Sequence, residues 1–205
     1  MMTAPHIHLA SKSPRRQDLL RQLGVNFDLL KLREASGRDR DVIEGAKDAE
    51  PPLHYVERMA RTKVTVGWSR MQQRMLHARP VLSADTEVVL DGVVFGKPID
   101  AADSARMLKA LSGQTHQVLT AVAMRWQDRT EVEVSISSVA MRRLSAQEID
   151  HYVATGEGED KAGGYAIQGR AAAFIIRIDG SYSGVMGLPL AETAELLARV
   201  GMPVL

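Results

Sequence analysis

The chain has 205 residues, of which 45% are hydrophobic and 25% charged, with a formal net charge of +1. That length and balance fit one soluble domain over residues 1–205, with no global field to attract nucleic acid or a membrane surface. There is no cysteine, which excludes disulfides, thiolate metal sites and a cysteine nucleophile and fits a reducing compartment.

The N-terminal residues lack the basic region and apolar run of a secretory signal, and no apolar stretch approaches the ~20 residues that span a bilayer. A cytoplasmic protein is expected.

His6–Ala10 reads as a first strand. A helix follows to Leu23, with Ser13 as N-cap, Pro14 at the first helical position and Gly24 as the stop. Ser11, Ser13, Arg15 and Arg16 therefore gather at a helix N-terminus. Arginine sits better at the other end of a helix dipole, so two in the first turn call for an anion, and a phosphate is the natural one. Solvated arginines beside a capped helix are the plainer alternative.

Phe27–Leu32 reads as a second strand with Glu34 at its end, and Ala35–Pro52, polar and charged, as a mobile loop. From Leu53 into the 70s, Val56, Met59, Ala60, Val64 and Gly67 recur at helical spacing. Lys63 lies on or beside that stripe, where a lysine either snorkels to solvent or reaches into a cleft.

Pro80–Leu82 reads as a strand leading to Asp85 near its exit, the place where α/β sheets hold ligands. Two apolar runs, Val88–Leu90 and Val93–Phe95, flank Asp91-Gly92, a strong two-residue hairpin signal. The hairpin returns Lys97 toward Asp85. This pairing is either a surface ion pair or part of a site for a metal-bound, phosphate-bearing substrate.

Asp100 caps a helix over Ala101–Leu111, His116–Trp126 reads as a buried strand, and Glu131–Met141 alternates as a half-buried one. Ser145 and Glu148 form a capping box. Thr155–Gly169 holds five of the 16 glycines, yet Tyr165, Ile167 and Gln168 mark it as a packed loop. Ala171–Ile178 reads as a strand and Leu188–Val200 as the closing helix. The order of elements predicts an α/β fold, a mixed central sheet flanked by helices. No residue makes a convincing covalent nucleophile, so hydrolysis by an activated water, aided by a divalent ion, suits the polar groups best.

Seven ordered blocks carry a resemblance: Leu-Ala-Ser-Lys-Ser-Pro-Arg-Arg (9–16), Ala-Arg-Thr-Lys (60–63), Ala-Asp-Thr-Glu-Val-Val (84–89), Gly-Lys-Pro (96–98), Leu-Ser-Gly-Gln-Thr-His-Gln-Val-Leu-Thr (111–120), Asp-Lys-Ala-Gly-Gly-Tyr-Ala-Ile-Gln-Gly (160–169) and Val-Met-Gly-Leu-Pro-Leu (185–190). Together they resemble the Maf family of nucleotide pyrophosphatases. The resemblance implies a fold like that of inosine-triphosphate pyrophosphatases, two lobes around a cleft, and metal-dependent (Mg²⁺ or Mn²⁺) hydrolysis of a nucleoside triphosphate to the monophosphate and pyrophosphate.

By the same resemblance Asp85 activates water, and Ser11, Ser13, Arg16, Lys63 and Lys97 bind the triphosphate. Arg15, Thr86 and Gln168 match the family's dTTP/UTP branch, with modified pyrimidine nucleotides as further candidates, against Trp, Gln and Glu in the 7-methyl-GTP branch. Glu34 and Asp85 are the expected metal ligands. The alternatives are an ITP or 7-methyl-GTP pyrophosphatase and a non-catalytic regulator of septum formation. Many relatives form homodimers, and no interface signature stands out here. Two departures are visible: Glu34 is followed by Ala35 where many relatives pair two acids, and Glu157-Gly158 stands for the family's Glu-Pro, a change expected to loosen the loop.

Overall fold

The computed structural model describes residues 4–33, 41–42, 45 and 49–204. Its strands are β1 (His6–Leu9), β2 (Asn26–Leu29), β3 (Val81–Leu90), β4 (Val93–Phe95), β5 (Thr115–Trp126), β6 (Arg129–Met141) and β7 (Ile175–Asp179). Its helices are α1 (Pro14–Gln22), α2 (Pro52–Gln73), α3 (Ala101–Leu111), α4 (Ala146–Val153), α5 (Tyr182–Val185) and α6 (Leu190–Arg199). The strands form one seven-stranded sheet in the order β2-β1-β3-β5-β6-β7, with β4 paired to β3. β2 and β3 run parallel to β1, and the other pairings are antiparallel, giving the expected mixed sheet.

Alternation along β3 and β5 divides the apolar side chains between two cores. On one face Leu82, Ala84, Val88, Val118 and Val122 meet Leu19 and Leu20 of α1, Leu108 and Leu111 of α3, and Leu196 and Leu197 of α6. On the other, Val81, Val89, Leu119, Ala121 and Ala123 meet Val56, Ala60, Val64, Trp68 and Met71 of α2. Each such large side chain contributes about 1.5–3 kcal/mol when buried. Gly67 lets α2 lie close, because a Cβ there would stand 3.0 Å from both Ala10 Cβ and Val81 Cγ1. The helix layers on the two faces flank a cleft at one side of β3.

The helix ends follow their capping residues. Ser13 Oγ accepts from Arg16 N, Asp100 from Asp103 N, and Ser145 with Glu148 completes the capping box. Asp91 (φ 51°) and Gly92 (φ 78°) both take left-handed backbone, as a type I′ turn requires.

Four expectations need correction. Val81–Leu90 is one continuous strand, so Asp85 lies at its middle and not at an exit. Its polar centre still pairs with β5 throughout, and that pairing overrides the local signal. Ala171–Ile178 is not one strand: Arg170–Phe174 is a 3₁₀ turn, suited to its three alanines, and β7 begins at Ile175. The closing helix starts at Leu190, after the short α5 that was not foreseen. Described parts of the stretch read as a mobile loop are tied to α2: the Asp41 carboxylate pairs with Arg70, and Glu50 Oε1 accepts from Arg58 Nε at 2.6 Å. Half-buried arginines of α2 catch those acids. Among the described residues no helix is long and apolar enough to cross a membrane.

His116 is 1% exposed, and its Nε2 lies 2.7 Å from the hydroxyl of buried Tyr165. Burial pushes the imidazole down to about 4. The unfolded chain therefore binds the extra proton first, and stability present above about pH 6.5 is lost as pH falls toward 4. Thermal unfolding is expected to show this acid-side loss, about 3 kcal/mol at its limit, and His116→Gln is expected to remove that share of it.

Candidate active site

β3 pairs with β1 only at Val81 and Leu82, and with β4 only from Val88 onward. Among the described residues its edge is therefore unpaired between those points, where the chain leaving β1 turns away into α1. A cleft of about 810 Å³ occupies this gap. Because the gap interrupts the sheet, side chains from both faces reach it: Asp85 and Glu87 from the α2 face, Thr86 from the opposite one.

On the α2 face, Ser83 Oγ donates to Ala60 O at 2.7 Å and fixes α2 against the strand. One turn on, Lys63 reaches Asp85, with Nζ 2.6 Å from Oδ1. Their side chains are 15% and 10% exposed. Lys63 thus enters the cleft and does not snorkel to solvent. The second oxygen, Oδ2, is buried without a hydrogen-bond partner among the described residues. Glu87, two residues along, presents a second buried carboxylate on the same face.

On the other face, α1 delivers its arginines. Arg16 donates from Nε to Gly187 O (2.7 Å), from Nη1 to Ser11 Oγ (3.3 Å) and from Nη2 to Thr86 Oγ1 (3.1 Å). Ser11 Oγ also accepts from Ser13 N at 3.2 Å, shaping the turn into the helix. Arg15 lines the cleft, and burial lowers its guanidinium from the usual arginine range.

The glycine loop closes the third side. Gly163 N donates to Gly96 O at 3.0 Å, and a Cβ on Gly163 would come within 2.9 Å of Val88 Cγ2. That close approach brings Lys161 beside Arg15 and Lys97. Burial first, then the charges of Arg15 and Lys97, push the Lys161 ammonium down to about 8, against the pull of Glu157. The loop is not loosened by Gly158: a Cβ there would stand 2.0 Å from Gly164 O, so glycine is what permits this packing. Glu157 adds to it by accepting from Tyr152 Oη and Arg170 N.

Ser11, Ser13, Arg15, Arg16, Lys63, Asp85, Thr86 and Lys97 thus share one cleft. Gln168 does not line it: its side is exposed, and buried Ile167 faces the cleft instead. Glu34 lies outside the described residues. Glu87 and Lys161 were missed, though reading Val81–Leu90 as one alternating strand would have put Glu87 beside Asp85. Among the described residues, cationic side chains outnumber carboxylates around the cleft, which suits a polyanion. Among the described residues no group of three or more His, Asp or Glu side chains is placed to hold a metal ion.

The sequence model of a family described as "Maf-like protein" matches residues 6–200. This chain belongs to the Maf-like protein family. The Maf-like chain is 58% identical over 191 residues to a dTTP/UTP pyrophosphatase of Nitrosospira multiformis, covering 93% of this chain and 92% of that one. It is 54% identical over 198 residues to a dTTP/UTP pyrophosphatase of Nitrosomonas europaea, covering 97% and 96%. Among solved structures, the Staphylococcus aureus Ham1 protein is similar at 14% identity with a TM-score of 0.42, over 66% of this chain and 71% of that one.

A bound polyanion favours the charged form of Lys161, so its binding weakens as pH rises past about 8. Calorimetric titration with inorganic tripolyphosphate from pH 7 to 9.5 is expected to show affinity falling more steeply in the parent protein than in Lys161→Gln, by roughly three- to tenfold.

Proposed function

We propose that this protein is a nucleoside triphosphate pyrophosphatase that converts dTTP and UTP to the monophosphate and pyrophosphate. The observation that carries the reading is the Asp85–Lys63 pair, set in a gap of the sheet edge and ringed by cations. Relatives that bear this activity in their names at 54% and 58% identity support it.

In this reading Lys63 occupies Asp85 Oδ1 and turns Oδ2 toward the substrate water. As the water oxygen bonds to phosphorus, its proton passes to Oδ2 and the α–β bridging P–O bond breaks. Arg15, Arg16, Lys97 and Lys161 hold the phosphates and take up the charge that gathers on the departing pyrophosphate. Ser11 and Ser13, at the head of α1, orient the turn whose N–H groups face the anion.

A divalent ion such as Mg²⁺ or Mn²⁺ fits the residues present. Such ions are held by one or two carboxylates together with substrate phosphates, and Asp85 with its orphaned Oδ2 and Glu87 supply that set. When bound, the ion neutralises phosphate charge and makes water more acidic. Glu34 remains a candidate ligand from the sequence. Arg15 and Thr86, which line the cleft, are the proposed pyrimidine-selecting residues, with the exposed Gln168 outside that set, and the cytoplasm, where free nucleotides are found, is the proposed location.

Purified protein offered UTP, dTTP, CTP, ITP and 7-methyl-GTP with Mn²⁺ or Mg²⁺ is expected to release pyrophosphate fastest from UTP and dTTP. Chelator is expected to stop the reaction. Asp85→Asn is expected to lower kcat by about 10²–10⁴-fold with the fold intact by circular dichroism. Faster turnover of ITP or 7-methyl-GTP would overturn the substrate assignment, and an active Asp85→Asn variant would overturn the role of the carboxylate.

A further inference from the structure

Thr120 sits at the middle of β5, directly across from Thr86 of β3 and from Ser135 of β6. The same face of β5 carries Val118 and Val122 on either side of it, both in the core. Thr120 is 0% exposed. Valine has nearly the same shape and would avoid burying a hydroxyl, so the hydroxyl needs a reason.

The hydrogen bonds supply one, once the single proton of each hydroxyl is assigned. A guanidinium can only donate, so Thr86 Oγ1 accepts from Arg16 Nη2 at 3.1 Å. The one proton of Thr86 must then point elsewhere, and Thr120 Oγ1 lies 3.0 Å away. The one proton of Thr120 cannot serve both neighbours, and Gly184 O, which can only accept, stands nearer at 2.8 Å and takes it, leaving Thr120 to accept from Thr86. The chain therefore runs Arg16 to Thr86 to Thr120 to the Gly184 carbonyl of α5. The segment just after α5 meets Arg16 again, because Gly187 O accepts from Nε at 2.7 Å. Arg16 is thus fixed from two sides by one buried hydroxyl and the segment it anchors.

We propose that Thr120 is a positioning residue: its buried hydroxyl sets the donor direction of Thr86 and so holds the Arg16 guanidinium in the cleft for an anionic substrate. The inference rests on reading the cleft as a polyphosphate site and goes beyond it, since Thr120 itself does not line the cleft. In Thr120→Val the Gly184 carbonyl keeps the Gly187 N–H as a donor but loses the hydroxyl, and Thr86 loses the acceptor that fixed its proton. Thr86 is then free to turn that proton toward Arg16, which repels it.

The test uses inorganic tripolyphosphate as a binding probe and UTP as substrate. Thr120→Val is expected to weaken tripolyphosphate binding and raise KM for UTP by roughly five- to tenfold, with kcat within about twofold of the parent. Thr120→Ser, which keeps the hydroxyl, is expected to restore both. In an Arg16→Met background the Thr120→Val effect on tripolyphosphate binding is expected to vanish, because the threonine acts through the arginine.

Should Thr120→Val fail to fold, Thr120→Ala takes its place in the same cycle. Unchanged tripolyphosphate affinity in a folded Thr120→Val or Thr120→Ala protein would overturn the proposal. So would a loss that persists undiminished without Arg16, or one that Thr120→Ser shares in full. Failure of the parent protein to hydrolyse UTP would instead count against the proposed function, while the tripolyphosphate cycle would still decide the role of Thr120.

Discussion

The rest of the structure depends on the interruption of β3's hydrogen-bonded edge. β1 leaves the strand after Leu82, and β4 joins it only at Val88. A full-length neighbour would have sealed the strand's centre, as β5 seals the other edge from Val81 to Val89. The gap instead leaves a place where carboxylates from one face of the sheet and a hydroxyl from the other open onto a common space. Each element that borders the gap then delivers a cation: α1 its arginines, α2 Lys63, the end of the β3–β4 hairpin Lys97, and the glycine loop Lys161.

That convergence is costly without an anion. Arg15 is held below the usual arginine range by burial, and Lys161 below the usual lysine range by burial and by the two cations nearest it. Packing does not relieve the repulsion, since the glycine loop is pressed inward by contacts only glycine allows, at Gly158 against Gly164 O and at Gly163 against Val88. The fold thus spends stability to keep cations close together, a pattern expected where a polyanion is to be bound. Lys161 has a carboxylate partner in Asp160, and Lys63 has one in Asp85, a contact that leaves one Asp85 oxygen to spare.

Much of this was legible in the sequence where local chemistry decides the outcome. Ser13, Asp100 and the Ser145–Glu148 box end their helices as read, and Asp91-Gly92 makes its hairpin. Arginines set against the dipole of α1 pointed to an anion, and both line the cleft. What failed depended on tertiary pairing. The polar centre of β3, Ser83 to Glu87, reads as a break because its strand character comes from β5 and not from its own residues. With that break in place Asp85 looked terminal, and Glu87 was not seen as its neighbour on the same face. Thr120 looked like one more strand residue, because only the fold reveals that a hydroxyl is buried between Thr86 and Gly184. Gly158 read as a loosening substitution for the same reason: the carbonyl it accommodates is distant in conformation, not in sequence.

The most direct measurement is a crystal structure of the protein with a UTP analogue whose α–β bridge cannot be cleaved, such as the α,β-imido compound. A site built on the open edge of β3 requires the α-phosphate beside Asp85 and Lys63, with the remaining phosphates among Arg15, Arg16, Lys97 and Lys161. A nucleotide bound elsewhere, or one in this cleft with its phosphates turned away from Asp85, would contradict it.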